Sequence, residues 1–348
     1  KVTPHRRFPF NALVARPVGK QEIANTPKAQ AAMNAEWERL RQQNVWDEDH
    51  PREWDDVRKE AQRGKYDVHL GWLFGICVQK NSELAGDDPA KKFKGRVVFQ
   101  GDRVIDQNFD AAMFQDLGSS PATMEAAKIA DFFGCVPGHS LEIADAVQAY
   151  VQAEMKGTST WVCLPPEYRP AWWAKKFPHL RRPVCRLNRA LYGHPDAGTF
   201  WEQKCDEHLQ KVGFKTISDA WPSCYHHAKL NLLLVVYVDD FKLAGPSANL
   251  KRGWDLIGKG LNIEDPRAID AQGATYLGCR QKRTSITLPS GRVATAMTYD
   301  MEEFLDTCVQ KYVELAGPGT KVKNCATPFL PEDHRSSPAG APGDGPCI

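Results

Sequence analysis

The stretch that most constrains this chain is residues 230–244, LNLLLVVYVDDFKLA. An apolar and aromatic run, residues 232–238, leads directly into Asp239 and Asp240, and apolar residues resume at Phe241, Leu243 and Ala244. A continuous run of this kind predicts a strand covered on both faces. Two like charges at its tip repel, and they are costly unless water, a base or a cation reaches them. A solvated hairpin turn accommodates Asp, although the Asn-Gly or Gly-rich dipeptide of a tight hairpin is missing. A divalent-metal site fits too, because Mg2+ takes oxygen ligands from one or two carboxylates plus substrate phosphates. A third carboxylate elsewhere would favour the metal.

The rest of the chain narrows the classes. A length of 348 residues allows two or three domains. With 45 basic and 43 acidic residues the net charge is +2, so any nucleic-acid surface is local. No apolar run approaches the ~18 residues that span a bilayer, and the start, KVTPHRRFPF, has no signal-peptide core. The missing initiator Met suggests a fragment of a longer chain or polyprotein. The ten Cys are scattered with no Cys-x-x-Cys pair, which argues against a zinc finger and for a reducing, intracellular location. Cys224, His226 and His227 lack a partner pair at ligand spacing.

Along the chain, residues 1–25 are expected to be a basic, irregular extension. Thr26 and Pro27 open a helix with Met33, Trp37 and Leu40 on one face. A second helix is expected from Pro51, with Trp54, Val57 and Ala61 apolar and Gly64 as its stop. Strands are expected over 66–79 and 94–99, with Lys91, Lys92, Lys94 and Arg96 making a basic hairpin or a solvated edge. Ser120 is expected to cap a helix running to Gly134. Residues 139–145 read as a strand ending in Asp145, the candidate third acid, although Asp145 could equally cap a helix. Residues 168–195 contain no acid and interleave Arg and Lys with Tyr168, Trp172, Trp173 and Phe177. That suits either a nucleic-acid contact or a solvated loop. Helices are expected at 197–212 and 247–260, a strand at 275–281, and a last helix capped by Asp300 and Glu303. The Pro/Gly-rich residues 331–348 are expected to be disordered.

Asp145, Asp239 and Asp240 at strand ends, with basic segments between and before them, are parts that phosphoryl transfer from a nucleoside triphosphate needs. Tyr237, Val238, Asp239 and Asp240 in an apolar hairpin resemble the YxDD signature of reverse transcriptases. The order of neighbouring motifs is similar to the Ty1/copia-type retrotransposon enzymes. Glu36-Trp37 with Asn44-Val45-Trp46, the KGRVV of residues 94–98, the DAVQAY of residues 145–150 and the LPPEY of residues 164–168 carry it first. Cys185-Arg186-Leu187, Leu191-Tyr192-Gly193, Ser218-Asp219, Tyr276-Leu277-Gly278 and Ala326-Thr327-Pro328 continue it in the family's order, so the likeness covers about residues 30–330.

The resemblance implies an α+β right-hand polymerase. The fingers would take residues 26–138, the palm 139–280 with a ferredoxin-like antiparallel sheet, and a partial thumb or connection 281–330. It implies RNA-directed DNA polymerase activity on an RNA template and DNA primer, with dNTPs and two Mg2+ ions (Mn2+ as a substitute) held by Asp145, Asp239 and Asp240. Lys94 and Arg96 would meet the triphosphate, Tyr150 would act as the steric gate against ribonucleotides, and Asp196 would lie near the incoming nucleotide. Tyr276, Leu277 and Gly278 would form the primer grip. Tyr237, Lys175, Lys176, Arg181 and Arg182 would contact nucleic acid, and Lys259 is a candidate proton donor to pyrophosphate. RNase H and integrase regions of a Pol polyprotein would be neighbours of this segment, in a cytoplasmic virus-like particle or the nucleus. Two departures stand out. The family's LYGLKQSP reads LYGHPDAG at residues 191–198, putting Asp196 where Gln is usual, and Gln152-Ala153 replaces the Asn-Gly after the first motif. A catalytically impaired nucleic-acid-binding relative and a DNA-templated palm polymerase are the alternatives.

Overall fold

The computed structural model describes residues 15–82, 88–89, 91–114, 120–317 and 319–320. The segment 331–348, the motif at residues 326–328 and residues 1–14 lie outside these. The first elements are β1 (Ala15–Val18), α1 (Lys20–Asn25), α2 (Pro27–Gln42), β2 (Arg52–Glu53), α3 (Trp54–Gly64), β3 (Val68–Lys80), β4 (Lys92–Phe99) and α4 (Met124–Gly134). Next come β5 (His139–Asp145), α5 (Ala149–Gln152), β6 (Ser159–Cys163), α6 (Trp173–Lys176), β7 (Pro183–Arg186), α7 (Ala197–Lys211), β8 (Lys215–Ser218) and β9 (Trp221–His227). The last are β10 (Leu232–Tyr237), β11 (Asp240–Pro246), α8 (Ser247–Ile257), β12 (Arg267–Ala268), β13 (Ala274–Tyr276), β14 (Cys279–Thr287), β15 (Val293–Asp300) and α9 (Glu302–Ala316). The chain is thus mixed α and β.

The apolar run becomes the middle of a six-stranded sheet in the order β12-β5-β11-β10-β9-β8, with every neighbour antiparallel. Alternation sorts its side chains between two cores. Leu232, Leu234, Val236, Phe241 and Leu243 face Trp201, Cys205 and Leu209 of α7 and Leu250, Trp254 and Ile257 of α8. Val235, Ala244, Leu141 and Ile143 face Ala126, Ala127 and Ala130 of α4. Leu232, Leu234, Phe241 and Leu243 are fully buried, and each stabilises the sheet by about 1.5–3 kcal/mol of transfer free energy.

A second sheet grows on β3. Its residues 68–72 run parallel to β6, residues 73–80 pair antiparallel with β4, and β1 takes its other edge. β7 and then β2 extend it beyond β6. Met33, Trp37 and Leu40 of α2 pack on Leu73, Val97 and Phe99 of this sheet. A third sheet has the order β13-β14-β15. Lys1–Asp300 and Met301–Ile348 are separate compact units, and α9 belongs to the second.

Several local expectations shift. Residues 15–25, expected to be irregular, hold β1, paired with β3, and α1. Thr123, not Ser120, caps α4, its side chain accepting from the Ala126 N–H; Ser120 instead donates its N–H to Glu202. α3 begins at Trp54, because Arg52 and Glu53 pair with β7. It is closed by Lys65 in the left-handed region rather than by Gly64. The single strand expected at 275–281 is a hairpin, since Leu277 (φ 48°) and Gly278 (φ 78°) reverse the chain between β13 and β14. Asp300 ends β15 and pairs with Lys282 at 2.7 Å, so Met301 takes the helix-cap position.

Candidate active site

Tyr237 and Asp240 are the last paired residues of β10 and β11, which leaves Val238 and Asp239 as a two-residue turn. Val238 sits at φ 56°, a costly conformation for a β-branched residue. Two hydrogen bonds hold it there. The Val238 carbonyl accepts from the Trp201 indole N–H at 2.7 Å, and the Asp239 carbonyl accepts from the Ala146 N–H at 2.7 Å. The α7 helix and the residue after Asp145 therefore fix the turn that a Gly-rich dipeptide would otherwise make easy.

The third acid arrives by strand pairing. Asp145, the last residue of β5, stands directly opposite Asp240, and directly paired residues share a face of the sheet. Burial and the charges of Asp239 and Asp145 push the Asp240 carboxyl up to about 6, against the pull of Arg267. Arg267, on β12, gives its Nη2 to Asp145 Oδ1 at 3.0 Å, a half-exposed ion pair. The donor set, all carboxylate oxygen with mutual repulsion, has the chemistry of a hard divalent-cation site. Among the described residues no group of three His, Cys, Asp or Glu side chains is gathered in a geometry ready to hold a metal.

Facing this tip is a basic and aromatic wall. The Arg96 guanidinium lies 5.4 Å over the Tyr192 ring, and Tyr192 meets Tyr150 edge-on at 4.5 Å. Burial, with the charges of Lys80, Arg96 and Arg39, lowers the Lys94 ammonium below its usual range, and Asp239 opposes that shift. Burial raises the Tyr150 and Tyr192 hydroxyls, and Asp239 adds to both shifts. Lys94, Tyr150 and Tyr192 thus all lie within electrostatic reach of Asp239. Tyr192 is seated by its neighbours. Its carbonyl accepts from the Phe99 N–H at 2.7 Å, and at Gly193 (φ 89°) a Cβ would stand 2.1 Å from the Phe99 carbonyl oxygen. Only glycine permits that approach.

Residues 65–257, more than half of the chain, match the family model described as Reverse transcriptase (RNA-dependent DNA polymerase). The chain belongs to the reverse transcriptase family. In this reverse transcriptase chain the matched span runs from the turn before β3 to the end of α8, so it includes all three carboxylates, Lys94, Arg96, Tyr150 and Tyr192. No helix among its described residues is long and apolar enough to cross a membrane.

The other residues singled out in the reverse transcriptase sequence divide. Asp196 sits at the start of α7, partly buried, with its N–H donating to His194 Nδ1 at 3.2 Å; burial raises its carboxyl. Tyr237 is 37% exposed beside Asp240. Tyr276 is 2% exposed, so the open part of its hairpin is Gly278. Lys175 and Lys176 are on α6, with Lys176 5.3 Å over the rings of Trp172 and Phe177. The main-chain N–H groups of Arg181 and Arg182 donate to the Glu53 carboxylate at 2.7 and 2.9 Å. Lys259 lies exposed in the turn after α8. Arg267 had no sequence signal, being one Arg in a polar stretch. Tyr192 was visible in the LYG motif, but its place between Arg96 and Tyr150 needed the fold.

Proposed function

We propose that this chain is the polymerase segment of a Ty1/copia-type retrotransposon reverse transcriptase, adding dNTPs to a DNA primer on an RNA template. The observation that carries the reading is Asp145 directly opposite Asp240 at the end of a hairpin whose turn holds Asp239. In this reading residues 26–138 act as fingers, 139–280 as palm and 281–330 as a thumb or connection. Asp145 and Asp239 hold the metal, with Asp240 supporting. Mg2+, two ions in the family's scheme with Mn2+ as a substitute, supplies Lewis-acid activation of the primer 3′-OH and charge neutralisation on the leaving pyrophosphate when bound.

The chain's own groups do the rest. Lys94 and Arg96 bind the triphosphate oxygens, a polyanion that suits charged N–H donors. Tyr150, braced by Tyr192, lies under the sugar and excludes a 2′-hydroxyl. Leu277 and Gly278 hold the primer strand, Tyr237 touches it near its end, and the stretch with Lys175, Lys176, Arg181 and Arg182 meets template backbone. The same reading makes an RNase H and an integrase region partners in a Pol polyprotein, working in a virus-like particle or the nucleus.

A second reading is a nucleic-acid-binding relative with impaired chemistry. It is favoured by the Arg267 pair on Asp145 and by Asp196 at the start of α7. Primer extension with Mg2+ or Mn2+ on RNA and DNA templates separates the readings. The expected outcome is extension on RNA by the wild type and none by Asp239→Asn. If both are equally silent the polymerase reading is refuted, and template binding that persists in filter assays then supports the second. Extension confined to DNA templates would make the chain a DNA-templated palm polymerase.

A further inference from the structure

A lysine stands where the apolar pattern of β11 asks for an apolar side chain. Lys242 is fully buried in a central strand, two positions after Asp240 and on the same face of the sheet. Its ammonium has three donors to satisfy. Nζ donates to Asp131 Oδ1 of α4 at 2.6 Å and to Gln281 Oε1 of β14 at 2.8 Å. It also stands 4.1 Å from the centre of the Tyr276 ring of β13, within cation–π range. Asp131 accepts at its other oxygen from the Tyr299 hydroxyl of β15 at 2.7 Å. All three strands of the third sheet therefore reach one buried cation, directly or through Asp131, and that cation is carried by the strand of Asp240.

An apolar contact would join the two sheets without the desolvation cost of a buried ion pair. What the ion pair adds is direction, because hydrogen bonds fix lateral position where apolar surfaces slide. The element so fixed is the turn of Leu277 and Gly278, which begins at the residue after Tyr276. Its two left-handed residues make a tight reversal, so the turn moves with its anchors. We infer that Lys242, with Asp131, is a positioning residue pair that sets where the Leu277 and Gly278 turn stands relative to Asp240, and so where the primer 3′ end meets the carboxylates. The inference rests on the polymerase reading above, in which that turn holds the primer.

The test replaces the buried network with apolar side chains, Lys242→Met with Asp131→Leu and Gln281→Leu. A wild-type-like melting temperature checks folding, and steady-state extension separates KM for primer–template from KM for dNTP. The expected result is a primer–template KM raised about fivefold or more with shorter products per binding event, while the dNTP KM stays within about twofold. A folded variant with wild-type primer–template KM and product length overturns the inference and leaves the network a packing device. Should the triple variant not fold, Lys242→Arg keeps the charge but displaces the donors. It is expected to give the same split, and a wild-type profile overturns the inference. A wild type that extends nothing refutes the polymerase reading alone. Hydrogen exchange then decides the positioning: exchange over residues 276–279 is expected to quicken with β10 and β11 unchanged, and unchanged exchange there overturns it.

Discussion

Asp240 and Asp145 stand directly opposite each other across β11 and β5, where β5 ends and β11 begins just after the Asp239 turn. Each strand end alone would be a solvated acid. Opposed, they make a concentrated negative site that burial keeps partly dry, and the Asp240 carboxyl rises to about 6 as a result.

That rise sets a pH dependence. A carboxyl raised in the folded state binds its proton more tightly there than in the unfolded chain. Its contribution is present below about 4 and is lost as pH climbs to about 6. Metal-free protein should therefore lose about 1 kcal/mol between these pH values, after allowance for solvent screening of a half-exposed group. Asp240→Asn should flatten that part of the profile. Urea titrations at pH 4 to 7 in chelator measure it, and a wild-type slope in the variant would contradict the assignment.

Arg267 pairs with Asp145 across half-exposed surface. Such a pair is worth ~0–1 kcal/mol, so Arg267→Gln should change the melting temperature by only a few degrees. Freed of its competing cation, Asp145 should bind Mn2+ about twofold to threefold more tightly, read by Mn2+ electron resonance as well as by extension. Weaker Mn2+ binding in the variant would show that Arg267 supports the site instead.

Tyr150→Ala removes the ring that Tyr192 braces. Discrimination against ribonucleotides should fall by about tenfold or more, a change of ~1.4 kcal/mol in relative kcat/KM. Competing dNTP and rNTP incorporation measures it. Unchanged discrimination would move the gate elsewhere.

Gly193→Ala would place a methyl group 2.1 Å from the Phe99 carbonyl oxygen at φ 89°. Shifting backbone on one side or the other should cost about 2–3 kcal/mol. Because Tyr192 is seated by the same contact, the KM for dNTP should rise in whatever fraction folds. Melting and single-nucleotide kinetics check the two parts.

Lys242→Met alone leaves Asp131 buried without its cation. Loss of one partner should cost about 3–5 kcal/mol, whereas adding Asp131→Leu should recover most of it. Chemical denaturation of the single and double variants measures the difference.

The sequence by itself determined the hairpin, its two acids and the strand that brings the third, because a continuous apolar run and a strand ending in Asp are patterns set by burial and period. Ordered motifs reached the family, since short residue strings survive as strings whatever the fold does around them. The tertiary structure alone decided the partners of those strings. Tyr192 joins Arg96 and Tyr150 only because Gly193 lets two backbones touch. Arg267 meets Asp145 from 122 residues away. Lys242 is a charge in an otherwise apolar strand, and Asp131, Gln281 and Tyr276 close around it. A buried charge is tolerable only when its counter-charge and acceptors are packed against it, and those come from elements whose meeting no local pattern records.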